Sequence, residues 1–184
     1  MPATAAPKTR RWTRQEYHDL AEAGFLSEDD HVELINGEII RMSPQNTPHA
    51  VAVRLVRQVL QHVFPDDTYM VDEQLPLALA PDSEPEPDVS VIEGHPRDFL
   101  DDHPSSAVLV VEVANASLQF DRTRKRPLYA RHGLSEYWIV NLTDRQLEVH
   151  RAPTGESYAE GGVFEEGETV SLRGQSVPVS DLLP

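Results

Sequence analysis

The sequence predicts a single α/β domain in which a mixed sheet is flanked by helices. Three observations predict it. A long amphipathic helix, opened by Thr47-Pro48 and closed by Pro65, precedes three strand-like runs. Two of those runs are almost continuously apolar, as strands covered on both faces are. A short helix stopped by Gly133 then separates them from another strand over residues 136–142. The order helix, three strands, helix, strand is visible from pattern alone, with an extra helix and a hairpin ahead of it.

Residues 1–10 are rich in Ala, Pro and Thr and are expected to be a disordered tail, leaving 11–184 as the domain. Thr13 and Glu16 have capping-box spacing and open a short helix that stops near Gly24. Residues 32–42 read as a β-hairpin around Asn36-Gly37, the pair that best tolerates a type I′ turn. Ile35 then pairs with Glu38 and Glu33 with Ile40, so Glu33 and Glu38 share a face, either solvated or functional. Thr47 is expected as N-cap of the long helix, with Pro48 at its first position. Ala52, Leu55, Val56, Val59 and Val63 form its stripe. His49, in its first turn, is either structural, solvated or part of a site.

Strands are expected over residues 73–79, 88–92 and 107–113, with Pro76 marking the first as an edge or a bulge. Residues 81–87 form a proline-rich acidic connector and 96–104 a second loop. The next helix spans residues 123–132, its regular part starting just before Pro127. Strands at 136–142 and 146–151 flank a tight turn at Thr143-Asp144. The chain from Ala152 onward reads as acidic loop with two more short strands.

The 184 residues, 39% of them hydrophobic, suffice for one core. The 31 acidic against 16 basic residues give a net charge of −15, which argues against a protein that coats nucleic acid non-specifically. There is no cysteine, so disulfides, thiolate metal sites and cysteine nucleophiles are excluded. No stretch is long and apolar enough to span a bilayer, and the N-terminus lacks a signal core, so a cytoplasmic location is expected. The cations are nearly all arginine; the only lysines are Lys8 and Lys125.

A carboxylate near the end of the apolar run 107–114 is costly unless paired with a cation, a metal or a proton, and Glu112 is such a carboxylate. Strand parity puts Val108, Val110, Glu112 and Ala114 on one face. Asp88 begins the neighbouring candidate strand, facing the same way as Ser90. If the two strands are neighbours, Asp88 and Glu112 meet at one edge, and their repulsion favours a shared divalent cation. Oxygen ligands without histidine or thiolate point to Mg²⁺, or Mn²⁺, over zinc. Lys125 starts the helix after the Glu112 strand. A lone lysine among arginines there is either accidental or a compact, tunable ammonium.

Five stretches, Glu33-Leu-Ile-Asn-Gly-Glu38, Glu86-Pro-Asp88-Val-Ser-Val, Leu109-Val-Val-Glu112-Val, Asp121 through Lys125 to Tyr129, and Glu136-Tyr-Trp-Ile-Val140, resemble the Uma-type family of restriction-like endonucleases. That family belongs to the PD-(D/E)XK nuclease superfamily. The resemblance implies a restriction-endonuclease-like core, metal ligation by Asp88 and Glu112, and Lys125 as catalytic lysine. The superfamily lysine normally lies two residues after the acid, where this chain has Ala114, leaving room for Lys125 to enter from the helix. Asn115 stands where relatives often carry aspartate.

On this basis the expected function is Mg²⁺-dependent hydrolysis of DNA phosphodiesters. Asp88, Glu112 and the Val113 carbonyl would hold the metal, and Lys125 would orient water or stabilise phosphorane charge. Glu38, with Glu33 or His49 as alternatives, would add a ligand or position water. Arg122, Arg124, Arg126 and Arg131 either contact phosphates or form a basic face in water. A homodimer is expected by symmetry, with Tyr137-Trp138 in the core or at its interface. The competing expectations are a catalytically silent binding or assembly module and hydrolysis of a small phosphorylated metabolite.

Overall fold

The computed structural model describes residues 9–65 and 67–184. Residues 1–8 of the expected tail lie outside them; Arg10 pairs with Glu16 and lies over the Trp12 ring. The first helix, α1 (Arg14–Glu22), is opened by the expected capping box of Thr13 and Glu16. Strands β1 (Val32–Ile35) and β2 (Glu38–Arg41) form the hairpin in the expected register, Ile35 opposite Glu38 and Glu33 opposite Ile40.

Helix α2 (Thr47–Val63) is capped by Asn46, whose side chain accepts from the His49 N–H at 3.0 Å. Thr47 is therefore the first helical residue and not the cap. The buried stripe is also rotated from the expected one: Ala52, Val53, Val56, Leu60 and Val63 are buried, whereas Leu55 and Val59 lie at its margin. The helix contacts the sheet along one line and the C-terminal segment along another, so its apolar face is wider than a single stripe.

The six-stranded sheet runs β3-β4-β5-β6-β7-β8, from β3 (Tyr69–Asp72), β4 (Val89–Glu93), β5 (Leu109–Ala114), β6 (Glu136–Asn141), β7 (Gln146–Thr154) and β8 (Ser157–Glu165). Only β5 and β6 are parallel, and they are joined across the sheet by a helical crossover. The strand expected over 73–79 does not form; β3 lies just ahead of it. Pro76 lacks an N–H, and the neighbouring amides bond elsewhere, Gln74 to the Pro87 carbonyl and Leu77 to the Pro85 carbonyl. The segment buries Leu77 and Leu79 and is stitched to the acidic connector.

The crossover helix α3 has three consecutive parts: Leu118–Phe120, a π turn at Asp121–Lys125, and Arg126–Arg131. It starts earlier than expected because Pro127 does not mark its beginning. The π turn closes with the Arg126 N–H on the Asp121 carbonyl, so the wider loop is finished just before the missing amide of Pro127.

The C-terminal region carries more strand than the expected acidic loop with two short strands. Strand β7 continues to Thr154, β8 pairs with it, and β9 (Thr169–Leu172) and β10 (Gln175–Pro178) form a second hairpin. Strand β8 is exposed and acidic, so it lacks the apolar alternation that marks a strand in sequence. Its Gly161, at φ +147°, passes so close to β7 that a Cβ would sit 2.0 Å from the Val149 carbonyl oxygen.

Each sheet face has its own core. Helix α2 and the C-terminal segment cover Val89, Val91, Leu109, Val111, Val113 and Trp138. Helix α3, the hairpin and residues 77–79 cover Val110, Ala114, Tyr137 and Ile139. Tyr137 and Trp138 thus both pack in the core, on opposite faces. Glu112 shares parity with Val110 and Ala114, so it points toward α3 and the hairpin.

Candidate active site

Asp88 and Glu112 are brought together by register. Val89 pairs with Val111, so one further step along the antiparallel ladder sets Asp88 across from Glu112. Asp88 is doubly held: its Oδ2 accepts from the Val113 N–H at 2.8 Å, and its Oδ1 lies 3.0 Å from His49 Nε2. The His49 ring reaches it because Asn46 caps α2 at that edge of the sheet.

Lys125 enters from the π turn and is fully buried. Its Nζ lies 3.0 Å from Glu112 Oε1 and 3.2 Å from Glu33 Oε2. Tyr129, one helical turn further on, donates to the same Glu112 Oε1 at 2.7 Å. Asp121, four residues ahead of Lys125, is also buried, and its Oδ2 has no hydrogen-bond partner. Glu33 Oε2 additionally accepts from the Glu86 N–H, while its Oε1 is buried without a partner. The extra residue of the π turn lets Asp121, Lys125 and Tyr129 face inward together.

The electrostatics are those of one cation against an excess of carboxylates. Burial works to lower the Lys125 pKa, but Glu112, Glu33, Asp121 and Asp88 outweigh it and hold the ammonium firmly protonated. Burial pushes the Glu112 carboxyl well above the ordinary range, opposed by Lys125 and reinforced by Asp88, Asp121 and Glu33. Asp121 is pushed up to about 6 by burial, again against the pull of Lys125. Burial, with Glu33 and Glu84, raises Glu86 too. A site this rich in carboxylate requires protons or a further cation.

The donor set is all hard oxygen, which suits a divalent cation such as Mg²⁺, and two oxygens buried without a partner, Glu33 Oε1 and Asp121 Oδ2, lie beside the Asp88 and Glu112 carboxylates. Among the described residues no three His, Asp or Glu side chains converge as a ready metal-binding group. An ion here would take the two strand carboxylates and complete its shell with backbone carbonyl and water, as Mg²⁺ commonly does.

Glu38 lies elsewhere. Its Oε1 is 2.6 Å from Arg11 and its Oε2 2.5 Å from Arg124, and it is partly exposed. The hairpin carboxylate that meets Lys125 is Glu33, diagonally across the hairpin on the same face. Of the other α3 arginines, Arg122 binds Glu148 at 2.6 Å and Arg131 binds Glu156 at 3.1 Å. Asp121 and Tyr129, the ends of one of the resembling stretches, receive no role from sequence, although their four-residue spacing on either side of Lys125 is a usable signal.

A family model described as "Uma2: Putative restriction endonuclease" matches residues 14–179. Among solved structures, the chain is similar to "a putative nuclease belonging to DUF820" from Anabaena variabilis ATCC 29413. The TM-score is 0.71 at 20% identity, over 89% of this chain and 96% of the other. At that identity the likeness speaks for the fold. No curated protein matches the chain.

Proposed function

The chain belongs to the Uma2 family, and from that membership and the site's geometry we propose that it is a Mg²⁺-dependent endonuclease acting on DNA. The observation that carries the reading is the buried Lys125 ammonium, 3.0 Å from a carboxylate that sits across the ladder from Asp88.

In this reading Asp88, Glu112 and the Val113 carbonyl would hold the divalent ion. Bound there, Mg²⁺ or Mn²⁺ would supply Lewis acidity at the scissile phosphate and acidify a coordinated water. His49 and the Val113 N–H keep the Asp88 carboxylate in place. Tyr129 and Lys125 fix Glu112 from the other side. The Lys125 ammonium, held protonated by the carboxylates around it, is a hydrogen-bond donor and electrostatic partner for developing phosphate charge, not a general base. Glu33 holds that ammonium in position from the hairpin. Cutting both strands of a duplex calls for two such sites, and a homodimer would supply them; light scattering on the purified protein measures that state directly.

One observation favours a second reading, an inactive binding module: a chain of net charge −15 repels DNA. Plasmid nicking separates the two. The nuclease reading expects Mg²⁺-dependent conversion of supercoiled plasmid to open circles, abolished by Asp88→Asn and by EDTA. Nicking that survives Asp88→Asn, or none with Mg²⁺ or Mn²⁺, removes the assignment.

A further inference from the structure

Glu38 is an exception in an acidic molecule. Among the described residues its ion-pair cluster is the one in which arginines outnumber carboxylates, with Arg11 on Oε1 and Arg124 on Oε2. The two arginines come from distant parts of the chain, the strap ahead of α1 and the π turn. The strap is held tightly to the hairpin: the Trp12 N–H donates to the Gly37 carbonyl at 2.9 Å, and a Cβ on Gly37 would lie 2.7 Å from Arg11 Cβ. Arg11 is thus presented from a fixed backbone, with its side chain 51% exposed, and Arg124 from a helix, with 37% exposed.

Position matters as much as charge. Glu38 and Glu33 lie on one face of the hairpin, and Glu33 meets Lys125, the residue after Arg124. The two guanidiniums therefore flank the buried lysine at the surface. Cations concentrate in the same two segments: three arginines at 10–14 and five cations at 122–131 make eight of the 16 in the chain. Most neighbours are neutralised by their own carboxylates, Arg14 by Glu84 and Asp102, Arg122 by Glu148.

We propose that Glu38 stands in for a nucleic-acid phosphate: it keeps Arg11 and Arg124 together as a phosphate clamp, and a DNA strand entering beside Lys125 displaces it. Arginine binds carboxylate and phosphate oxygens with the same fork of N–H donors, so the exchange needs no rebuilding of the clamp. It also gives an acidic chain a local route to DNA. The inference rests on the nuclease reading for the identity of the strand, and it removes Glu38 from the ligands of the metal.

The test is fluorescence anisotropy with a short labelled duplex in EDTA, across a salt series. Glu38→Gln is expected to tighten binding several-fold, whereas Arg11→Ala and Arg124→Ala each weaken it and reduce the salt slope by about one. Glu38→Gln placed on the double arginine variant should give no gain. Glu166→Gln, which frees the remote Arg145, controls for net charge and should change affinity little. Unchanged or weaker binding by Glu38→Gln overturns the proposal, as does failure of every protein to bind duplex at low salt. Should Glu38→Gln melt early, Arg11→Ala on the strap decides: unchanged affinity and slope overturn it. Binding that follows this pattern without any nicking would sink the nuclease reading alone; nicking without the pattern would sink the clamp alone.

Discussion

Lys125 carries the greatest burden of any residue, because its ammonium is the cation nearest Glu112 and Glu33 in a site with further carboxylates around it. Lys125→Ala would leave buried carboxylates uncompensated, a change that costs about 3–5 kcal/mol. Urea denaturation of the metal-free protein measures it, and a loss under 1 kcal/mol would mean the pair is not buried as described. Lys125→Arg is no remedy, since the larger fork does not fit a compact, enclosed position. Asp121 gives a pH signature. Folded, it holds its proton up to about 6; unfolded, it releases it near the ordinary aspartate value of 3.8. Between those values the native state binds more protons, so this group's contribution falls as pH rises through the window. Asp121→Asn should flatten the decline of Tm between these pH values, and a slope identical to wild type would contradict the burial of that carboxyl. Strand parity and the cost of burial made Asp88 and Glu112 legible from sequence, and the scarcity of lysine drew notice to Lys125. Glu33 and Glu38 are equivalent in sequence, and the tertiary approach of Lys125 to the first and of Arg11 and Arg124 to the second separates them.

At the scale of elements, the π turn decides which α3 side chains reach the sheet. Its position was hidden because Pro127 reads as a helix start, while the wider turn just before it absorbs the missing amide. The N-cap of α2 has a similar link to the site. Asn46 fixes the helix end that carries His49, and His49 lies 3.0 Å from Asp88. Asn46→Ala should cost about 1 kcal/mol by thermal unfolding. It should also weaken Mn²⁺ affinity measured by calorimetry, whereas a change in stability alone would leave His49 a structural residue. On the far side of the sheet, Gly161→Ala forces a Cβ against the Val149 carbonyl at a positive φ. It should destabilise by more than the roughly 1 kcal/mol of a typical substitution, with the β7–β8 amides losing hydrogen-exchange protection first. The hairpin and its register were legible because Asn-Gly dictates a tight turn. Strand β8 was not, because its pairing rests on backbone bonds to β7 and an acidic, solvent-facing surface.

For the whole molecule, the acidic charge and the nuclease fold pull in opposite directions, and the distribution of charge reconciles them. Glu33, Asp88, Glu112 and Asp121 gather around Lys125, where the proposed divalent ion would sit, and half of the cations lie on the strap and α3 beside it. The fold class and the order of core elements were legible because covered strands and capped helices leave strong apolar patterns. The second C-terminal hairpin and the docking of the acidic connector against β1 were not, since both depend on contacts far apart in sequence. Among the described residues no helix is long and apolar enough to cross a membrane. The central claim is that Asp88 and Glu112 share a divalent ion beside the Lys125 ammonium. A crystal soaked in Mn²⁺ and measured at an anomalous wavelength tests it most directly. The account predicts one anomalous peak bridging Asp88 and Glu112, with the Val113 carbonyl in its shell and Lys125 Nζ close by. No peak there, or splayed carboxylates with the ion bound elsewhere, would contradict it.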